Sequence, residues 1–179
     1  MHDMWINGAW RAGNSGQAIP VQDPATEDVI DSVPAGAAED VRAAVDAASA
    51  AFREWRRLPA GERAELLHEV AARLTAQTEE LATLLTREGG KPLVENRDEM
   101  GWSAACFRYY AELGRNTRGR VIPSIESSQL ALVLKEPYGV VGVIVPWNYP
   151  VLLLAGGVAL LVAGIRKRPA MAMNAGAEA

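Results

Sequence analysis

The chain has 179 residues, of which 49% are hydrophobic and 22% are charged, and its formal net charge is −4. This is the composition of a globular protein, with enough residues for one domain or for part of a larger one. Because the net charge is negative and the arginines are scattered among glutamates, no basic surface for nucleic acid is expected.

The few cysteines and histidines limit the chemistry further. The single cysteine, Cys106, excludes an internal disulfide and favours a reducing compartment, which predicts a cytoplasmic location. His2 and His68 lie far apart in the sequence and away from the cysteine, so no metal site is predicted. The first five residues have neither the basic nor the apolar region of a signal peptide.

The N-terminal part of the chain predicts a small β element followed by a helix. Asn7-Gly8 is the two-residue signature of a tight hairpin. Two further short strands are predicted at residues 19–22 and 29–33. A first helix is predicted at about 39–56, because apolar side chains recur there at helical spacing, namely Val41, Val45, Ala48, Phe52 and Trp55.

Two more helices and a strand are predicted in the middle of the chain. A second, unbroken helix is predicted to end at Glu88, because glycines and a proline follow at residues 89–92. A connector is predicted at 114–123, and a strand at 130–134. A third helix is predicted at about 93–113, with one side formed by Trp102, Cys106, Tyr109 and Leu113.

Residues 140–150 are the most informative part of the sequence. The β-branched run at 140–145 predicts a fully buried parallel strand, which Pro146 and Pro150 prevent from continuing. In open α/β sheets, ligands bind just beyond the carboxyl ends of such strands, so Asn148 is a candidate functional residue. The alternative is that Asn148 only satisfies backbone groups of the turn, as asparagines in loops usually do.

Other candidate motifs do not carry a function. The glycine-lysine pair at residues 90–91 is not a phosphate-binding loop, because Pro92 stands where a hydroxyl should coordinate magnesium. The glycines of residues 139–142 open the predicted strand instead of following it, so they are not a dinucleotide-binding fingerprint. Cys106 is predicted to be a buried, inert thiol. The adjacent glutamates at 79–80 point apart on a helix and are predicted to be solvated.

Short motifs follow one another in a fixed order from about residue 4 to residue 154. They are Trp5-Ile6-Asn7-Gly8, Asp23-Pro24-Ala25-Thr26, Glu88-Gly89-Gly90-Lys91-Pro92, Phe107-Arg108-Tyr109-Tyr110-Ala111, Lys135-Glu136-Pro137 and Pro146-Trp147-Asn148-Tyr149-Pro150. The last of them is the most specific. In their order and spacing, these motifs resemble the N-terminal portion of the aldehyde dehydrogenase superfamily.

The resemblance implies an α/β fold and a chemistry. The fold would be the N-terminal part of an aldehyde dehydrogenase-like fold, with an oligomerisation strand at 130–134 and the first strand of an open Rossmann-like sheet at 140–145. In this family a cysteine thiolate attacks an aldehyde, and an amide matched here by Asn148 helps to hold the oxyanion. Hydride then passes to NAD or NADP. The implied cofactor-binding residues are Ile144, Val145, Pro146 and Trp147.

The resemblance is lost after residue 154. Two parts are therefore predicted: an aldehyde dehydrogenase-like part at 1–154, and a divergent apolar and basic tail at 155–179. The family's catalytic cysteine and general-base glutamate have no counterpart here, because Cys106 lies on an earlier, different element. One explanation is a truncated or frame-shifted gene, in which another reading frame restores the family pattern. The other is a membrane segment at 151–165, a run shorter than the ~20 residues that a span needs, with basic residues after it.

Three functions follow from these observations. The first is the N-terminal part of an NAD(P)-dependent aldehyde dehydrogenase, an oxidoreductase that converts an aldehyde to a carboxylic acid, inactive on its own. The second is an interaction protein that docks on a full-length relative through its helices and residues 130–134. The third is a single-span membrane protein. Self-association or low solubility is also predicted, because the strand at 140–145 would lack parallel neighbours.

Overall fold

The computed structural model describes residues 3–163, which form six strands and five helices in a mixed α/β fold. The strands are β1 (Met4–Ile6), β2 (Ala9–Arg11), β3 (Ala18–Gln22), β4 (Val29–Pro34), β5 (Arg120–Ile122) and β6 (Ala131–Val133). The helices are α1 (Ala38–Trp55), α2 (Ala60–Ala76), α3 (Thr78–Gly89), α4 (Leu93–Arg115) and α5 (Pro150–Ala163).

The described strands form three separate antiparallel pairs, β1 with β2, β3 with β4 and β5 with β6. Asn7 (φ 55°) and Gly8 (φ 73°) form the turn of the first pair, in the left-handed region that a two-residue hairpin turn requires. The second pair runs from Ala18 opposite Pro34 to the far end of β3. The predicted hairpin and the two strands after it are confirmed.

The third strand pair confirms one prediction and corrects another. The strand predicted at 130–134 is present as β6, although it is shorter. Its partner β5 lies inside the segment 114–123, which was predicted to be an irregular connector. The glycine and arginine residues of that segment do not suggest a strand. The three-residue strand β5 forms because it pairs with β6, which lies further along the chain.

The predicted first helix is confirmed as α1 and the third as α4, but the prediction of one unbroken second helix is wrong. It divides into α2 and α3 at Gln77, whose φ of −104° and ψ of 15° leave the helical region. The hydroxyls of Thr75 and Thr78 donate to the carbonyls of Ala71 (2.9 Å) and Leu74 (3.2 Å). These two side-chain hydrogen bonds lie on either side of the break.

The main core lies between α2, α4 and α5. It is rich in alanine, whose small side chain lets helix axes approach closely. Of the residues predicted to share one side of α4, Trp102 and Tyr109 are 51% and 63% exposed, whereas Cys106 packs against the core. The buried residues of the core are Ala64, Leu67, Ala71, Ala104, Phe107, Ala111, Ala155 and Ala159.

The prediction of a buried parallel strand at 140–145 is wrong. These residues run without helical or strand structure and pair with no strand among residues 3–163. Val141 is 44% exposed and Ile144 is fully exposed. A parallel strand needs hydrogen-bonded neighbours on both sides, and none of the described strands pairs with this segment. The Rossmann-like strand implied by the resemblance is therefore not formed.

Helix α5 continues across residue 154, where the resemblance was judged to end. Ala155 and Ala159 are buried against α4, and the helix passes through Gly156 and Gly157 without a break. No helix within residues 3–163 combines the length and the apolar character needed to cross a membrane. The basic residues 166–168 lie outside the described residues, and the division of the chain at residue 154 stays a prediction.

Candidate functional site

The candidate site is the turn of residues 146–149, which leads directly into α5. Pro150 is the first residue of this helix, a position where proline is favoured because its missing N–H has no intrahelical partner there. The Asn148 side chain is exposed immediately before the helix. The amide predicted to follow a strand is instead presented just ahead of a helix N-terminus, since the strand is absent and α5 begins at Pro150.

A buried carboxylate on α4 holds the first turn of α5. The Glu99 side chain is fully buried, and its Oε1 accepts hydrogen bonds from the backbone N–H groups of Val151 (2.8 Å) and Leu152 (3.1 Å). These groups have no partner within their own helix, and the helix dipole favours a negative charge at this end. The N-terminus of α5 is thus already occupied by an anion from the protein itself.

Lys91 connects this carboxylate to the turn. Its Nζ pairs with Glu99 Oε2 and donates a hydrogen bond to the backbone carbonyl of Asn148 at 3.0 Å. The same Nζ lies 3.9 Å from the centroid of the Tyr149 ring, a cation–π contact. The turn is therefore tied to α4 through a lysine and a carboxylate that are both largely shielded from solvent.

The backbone around Lys91 is held in turn by the end of α3 and by Asn96. Gly90 ends α3 in the left-handed region (φ 74°), as the residue past a helix end often does. The buried Asn96 amide donates to Thr86 Oγ1 (2.8 Å) and to the Lys91 carbonyl (3.2 Å). These contacts fix the position from which the lysine reaches the turn.

A cleft of about 570 Å³ opens between the end of α3 and the turn. Asn148 and Trp147 line it from one side, and Gly89 and Lys91 from the other. A side chain added at Gly89 would lie 3.7 Å from the Trp147 indole nitrogen, so the two walls are close. The cleft, which is open to solvent on one side, places the candidate amide beside a mainly apolar surface.

Only two of the four predicted cofactor-binding residues line the cleft. Val145 and Trp147 line the cleft, whereas Ile144 and Pro146 do not. Ile144 is instead fully exposed. The four cofactor-binding assignments stay predictions.

Cys106 lies apart from the turn. It is partly buried on α4 and packs beside the core, with its Sγ 3.9 Å from the position of a side chain added at Gly156. Six residues along α5 separate Gly156 from Pro150, which corresponds to about 9 Å of helix. Burial raises the pKa of the Cys106 thiol, so the protonated form is favoured at neutral pH.

Sequence analysis did not single out Lys91 and Glu99. Residues 89–92 were predicted to be a helix end and part of a family motif, and no role was predicted for Glu99. Glu79 is indeed exposed, and it pairs with Arg97 of α4 (2.7 Å). A usable signal for Glu99 was present, because Asn96, Glu99 and Ser103 recur at helical spacing on the side of α4 that also carries Met100 and Phe107.

Comparison with known proteins identifies the family. The model of the aldehyde dehydrogenase family matches residues 10–165. The chain belongs to this family, as its motifs predicted. Over 164 residues it is 45% identical to aminoaldehyde dehydrogenase 2 of Zea mays, a match that covers 87% of this chain and 32% of that protein.

Solved structures agree with the family assignment. Succinate-semialdehyde dehydrogenase from Burkholderia pseudomallei superposes with a TM-score of 0.89 at 35% identity, covering 92% of this chain and 34% of that chain. PnpE in complex with nicotinamide adenine dinucleotide gives a TM-score of 0.87 at 36% identity, covering 91% and 34%. This chain spans about a third of the length of the relatives it matches.

Proposed function

We propose that this chain provides part of the active site of an NAD(P)-dependent aldehyde dehydrogenase, an oxidoreductase that converts an aldehyde to a carboxylic acid. The observation that carries the proposal is the Asn148 amide, exposed at the turn into α5 and lining a cleft. An amide donor stabilises a developing oxyanion without being protonated itself. Asn148 is accordingly assigned as an oxyanion-hole donor for an aldehyde substrate.

The residues before Asn148 are assigned to one wall of the cofactor cleft. Residues 144–146 have no helical or strand structure and Trp147 lies in the turn, so no strand among residues 3–163 pairs with this backbone, which leaves its polar groups available for a ligand. The α5 N-terminus is not assigned to the cofactor's phosphates, because Glu99 already accepts from Val151 and Leu152. When bound, NAD or NADP would supply the hydride acceptor.

The nucleophile is assigned to no residue of this chain. Cys106 is the single cysteine, and its thiol is partly buried beside α5 with a raised pKa. An attacking thiolate must be ionised and must lie within bonding distance of the carbonyl that reaches the oxyanion donor. These 179 residues alone are therefore expected to produce no NADH or NADPH from an aldehyde, with or without Cys106→Ser.

The proposal is tested with a chimera. Residues 10–163 replace the matching segment of aminoaldehyde dehydrogenase 2, and aldehyde-dependent NADH formation is measured. We expect turnover by the chimera, and a loss on the order of 10²–10³ in kcat on Asn148→Ala, the usual effect of removing one oxyanion donor.

A matched control is Asn116→Ala, which removes an amide at the exposed end of α4 and should leave kcat unchanged. A folded chimera that binds the nucleotide but does not turn over would refute the assignment. So would a chimera whose kcat is the same with Asn148→Ala as without it.

A second candidate function is association with other copies of the fold. The observation that favours it is the exposed apolar surface of β6 and its flanks, where Leu130 is 72% exposed and Leu134 69% exposed. A short, unpaired strand edge can add to a strand of another chain. On this proposal the chain forms homo-oligomers or docks on a full-length relative in the cytoplasm, and co-purification with such a relative would test it.

A further inference from the structure

We propose that Lys91 and Glu99 are positioning residues that set the conformation of the turn 147–149 and so aim the Asn148 amide. The catalytic consequence rests on the proposed function of Asn148. The structural claim does not, because it concerns only how the turn is held against α4.

Glu99 is completely buried. A carboxylate with no exposed surface, placed within the helical core, is stable only when both oxygens are satisfied. One oxygen accepts from Val151 and Leu152, and the other pairs with Lys91. Because Glu99 is enclosed and fully engaged, it has no access to a substrate and cannot act as a general base.

The two carboxylate oxygens of Glu99 hold different groups. Oε1 fixes where α5 begins relative to α4, and Oε2 fixes the ammonium group of Lys91. That ammonium group in turn holds the Asn148 carbonyl and lies over the Tyr149 ring. The backbone carbonyl of Asn148 and the ring of the next residue, Tyr149, are therefore held by one buried ion pair.

Among residues 3–163, the segment 140–147 before Asn148 has no polar contact with the helical core comparable to the Lys91–Glu99 pair. Trp147 and Asn148 are exposed, and Trp147 is 68% exposed although it lines the cleft. The extended residues before them pair with no described strand. Within residues 3–163, the Lys91–Glu99 pair is thus the principal polar connection between the turn and the helical core.

The first experiment measures amide hydrogen exchange of the full chain at low micromolar concentration. Glu99→Gln keeps the side-chain shape and removes the charge. We expect the amides of Val151 and Leu152 to exchange about tenfold faster, because they lose a charge-assisted acceptor. Protection in the centre of α2 should stay at the wild-type level. Glu95→Gln, an exposed carboxylate on the same helix, is the matched control and should change neither.

The second experiment measures limited cleavage by chymotrypsin, which cuts after aromatic residues. The bond after Tyr149 precedes Pro150 and resists cleavage, so cleavage after Trp147 reports opening of the turn. Lys91→Met should accelerate this cleavage about tenfold, because the turn loses its hydrogen bond and its cation–π contact. Lys91→Arg retains a cationic donor and should restore most of the resistance.

The two experiments separate positioning from a general structural role. Faster exchange or cleavage confined to residues 147–152, with rescue by arginine, supports the proposal. Unchanged exchange and cleavage, or an equal loss of protection in α2, α4 and α5, would overturn it. If Glu99→Gln does not fold, the cleavage rates of the two Lys91 variants decide between these outcomes. Neither readout requires enzymatic turnover, so the proposal can fail while the assignment of Asn148 stands, and the reverse.

Discussion

At the scale of single residues, the two buried carboxylates among residues 3–163 share one arrangement, in which the carboxylate accepts hydrogen bonds from backbone N–H groups. Glu99 does so for α5, and Asp40 does so near the N-terminus. Asp40 accepts from the Ala37 N–H (2.8 Å), and from the N–H (3.1 Å) and side-chain amide (2.5 Å) of Asn14. A single side chain therefore caps α1 and attaches the preceding loop to it.

These contacts predict a pH dependence. The pKa of Asp40 is lowered, chiefly because its carboxylate accepts a hydrogen bond from the Ala37 N–H. Burial raises this pKa in part, and the hydrogen bonds from Asn14 lower it further. A lowered pKa in the folded state stabilises the fold above the ordinary carboxyl pKa, and this contribution is lost as the pH falls through the lower, folded value. We expect the Ala37 and Asn14 amides to lose protection from hydrogen exchange when the pH is lowered below about 4.

The measurement is hydrogen exchange as a function of pH, corrected for the intrinsic exchange rate. Asp40→Asn should abolish the step in protection, whereas Asp46→Asn, at an exposed position on the same helix, should retain it. A step of the same size in the Asp40→Asn protein would assign the transition to another group.

At the scale of secondary-structure elements, the end of α3 is the most constrained point near the site. Gly90 has a φ of 74°, and a Cβ added to it would lie 2.7 Å from Cγ of Pro24. The same residue directs the chain into Lys91 and the cleft. The conformation of Gly90 thus determines where Lys91 and this wall of the cleft are placed.

Gly90→Ala should therefore destabilise the fold. We expect a loss of about 1–3 kcal/mol in the free energy of unfolding, because alanine disfavours the left-handed region and would contact Pro24. Gly101→Ala is a suitable control, since a Cβ at this position in α4 meets no atom within 4 Å. It should raise stability by roughly 0.5–1 kcal/mol through helix propensity. Chemical denaturation measures both, and a neutral Gly90→Ala would show that the end of α3 can rearrange.

At the scale of the whole molecule, the helical core is shielded from solvent, but the segment that connects α4 to α5 exposes apolar side chains. Alanines of α2, α4 and α5 are fully enclosed. In contrast, Val141, Ile144, Leu130 and Leu132 present apolar surface to solvent. Exposed apolar surface of this kind, next to a strand with a free edge, favours association between chains.

The purified chain is accordingly expected to self-associate. Light scattering after size exclusion should give a mass above 19.2 kDa that increases with protein concentration. Val141→Lys together with Ile144→Lys should shift the distribution toward the monomer, because charges interrupt the apolar surface. Leu84→Lys, at a half-exposed position on α3, provides the control. A monodisperse monomer with a sharp thermal transition would contradict the expectation.

Features that depend on neighbours in the chain could be predicted from the sequence. Asn7-Gly8 predicted the first hairpin, helical periodicity predicted α1 and α4, and ordered motifs identified the aldehyde dehydrogenase family. Asn148 was also singled out from local sequence, because it follows the β-branched run at 140–145 and lies between two prolines, although that run does not form the predicted strand. Local propensity and short motifs are sufficient for such features.

The tertiary structure alone decided the features that depend on contacts between distant segments. The strand predicted at 140–145 is absent, because a β-branched run becomes a strand only where hydrogen-bonded neighbours are present. The pairing of Lys91 with Glu99, and of Glu99 with the start of α5, joins residues up to 53 positions apart. Periodicity could place Glu99 on the buried side of α4, but only the packing of α4 against α5 gave its carboxylate the two backbone N–H groups that make burial favourable.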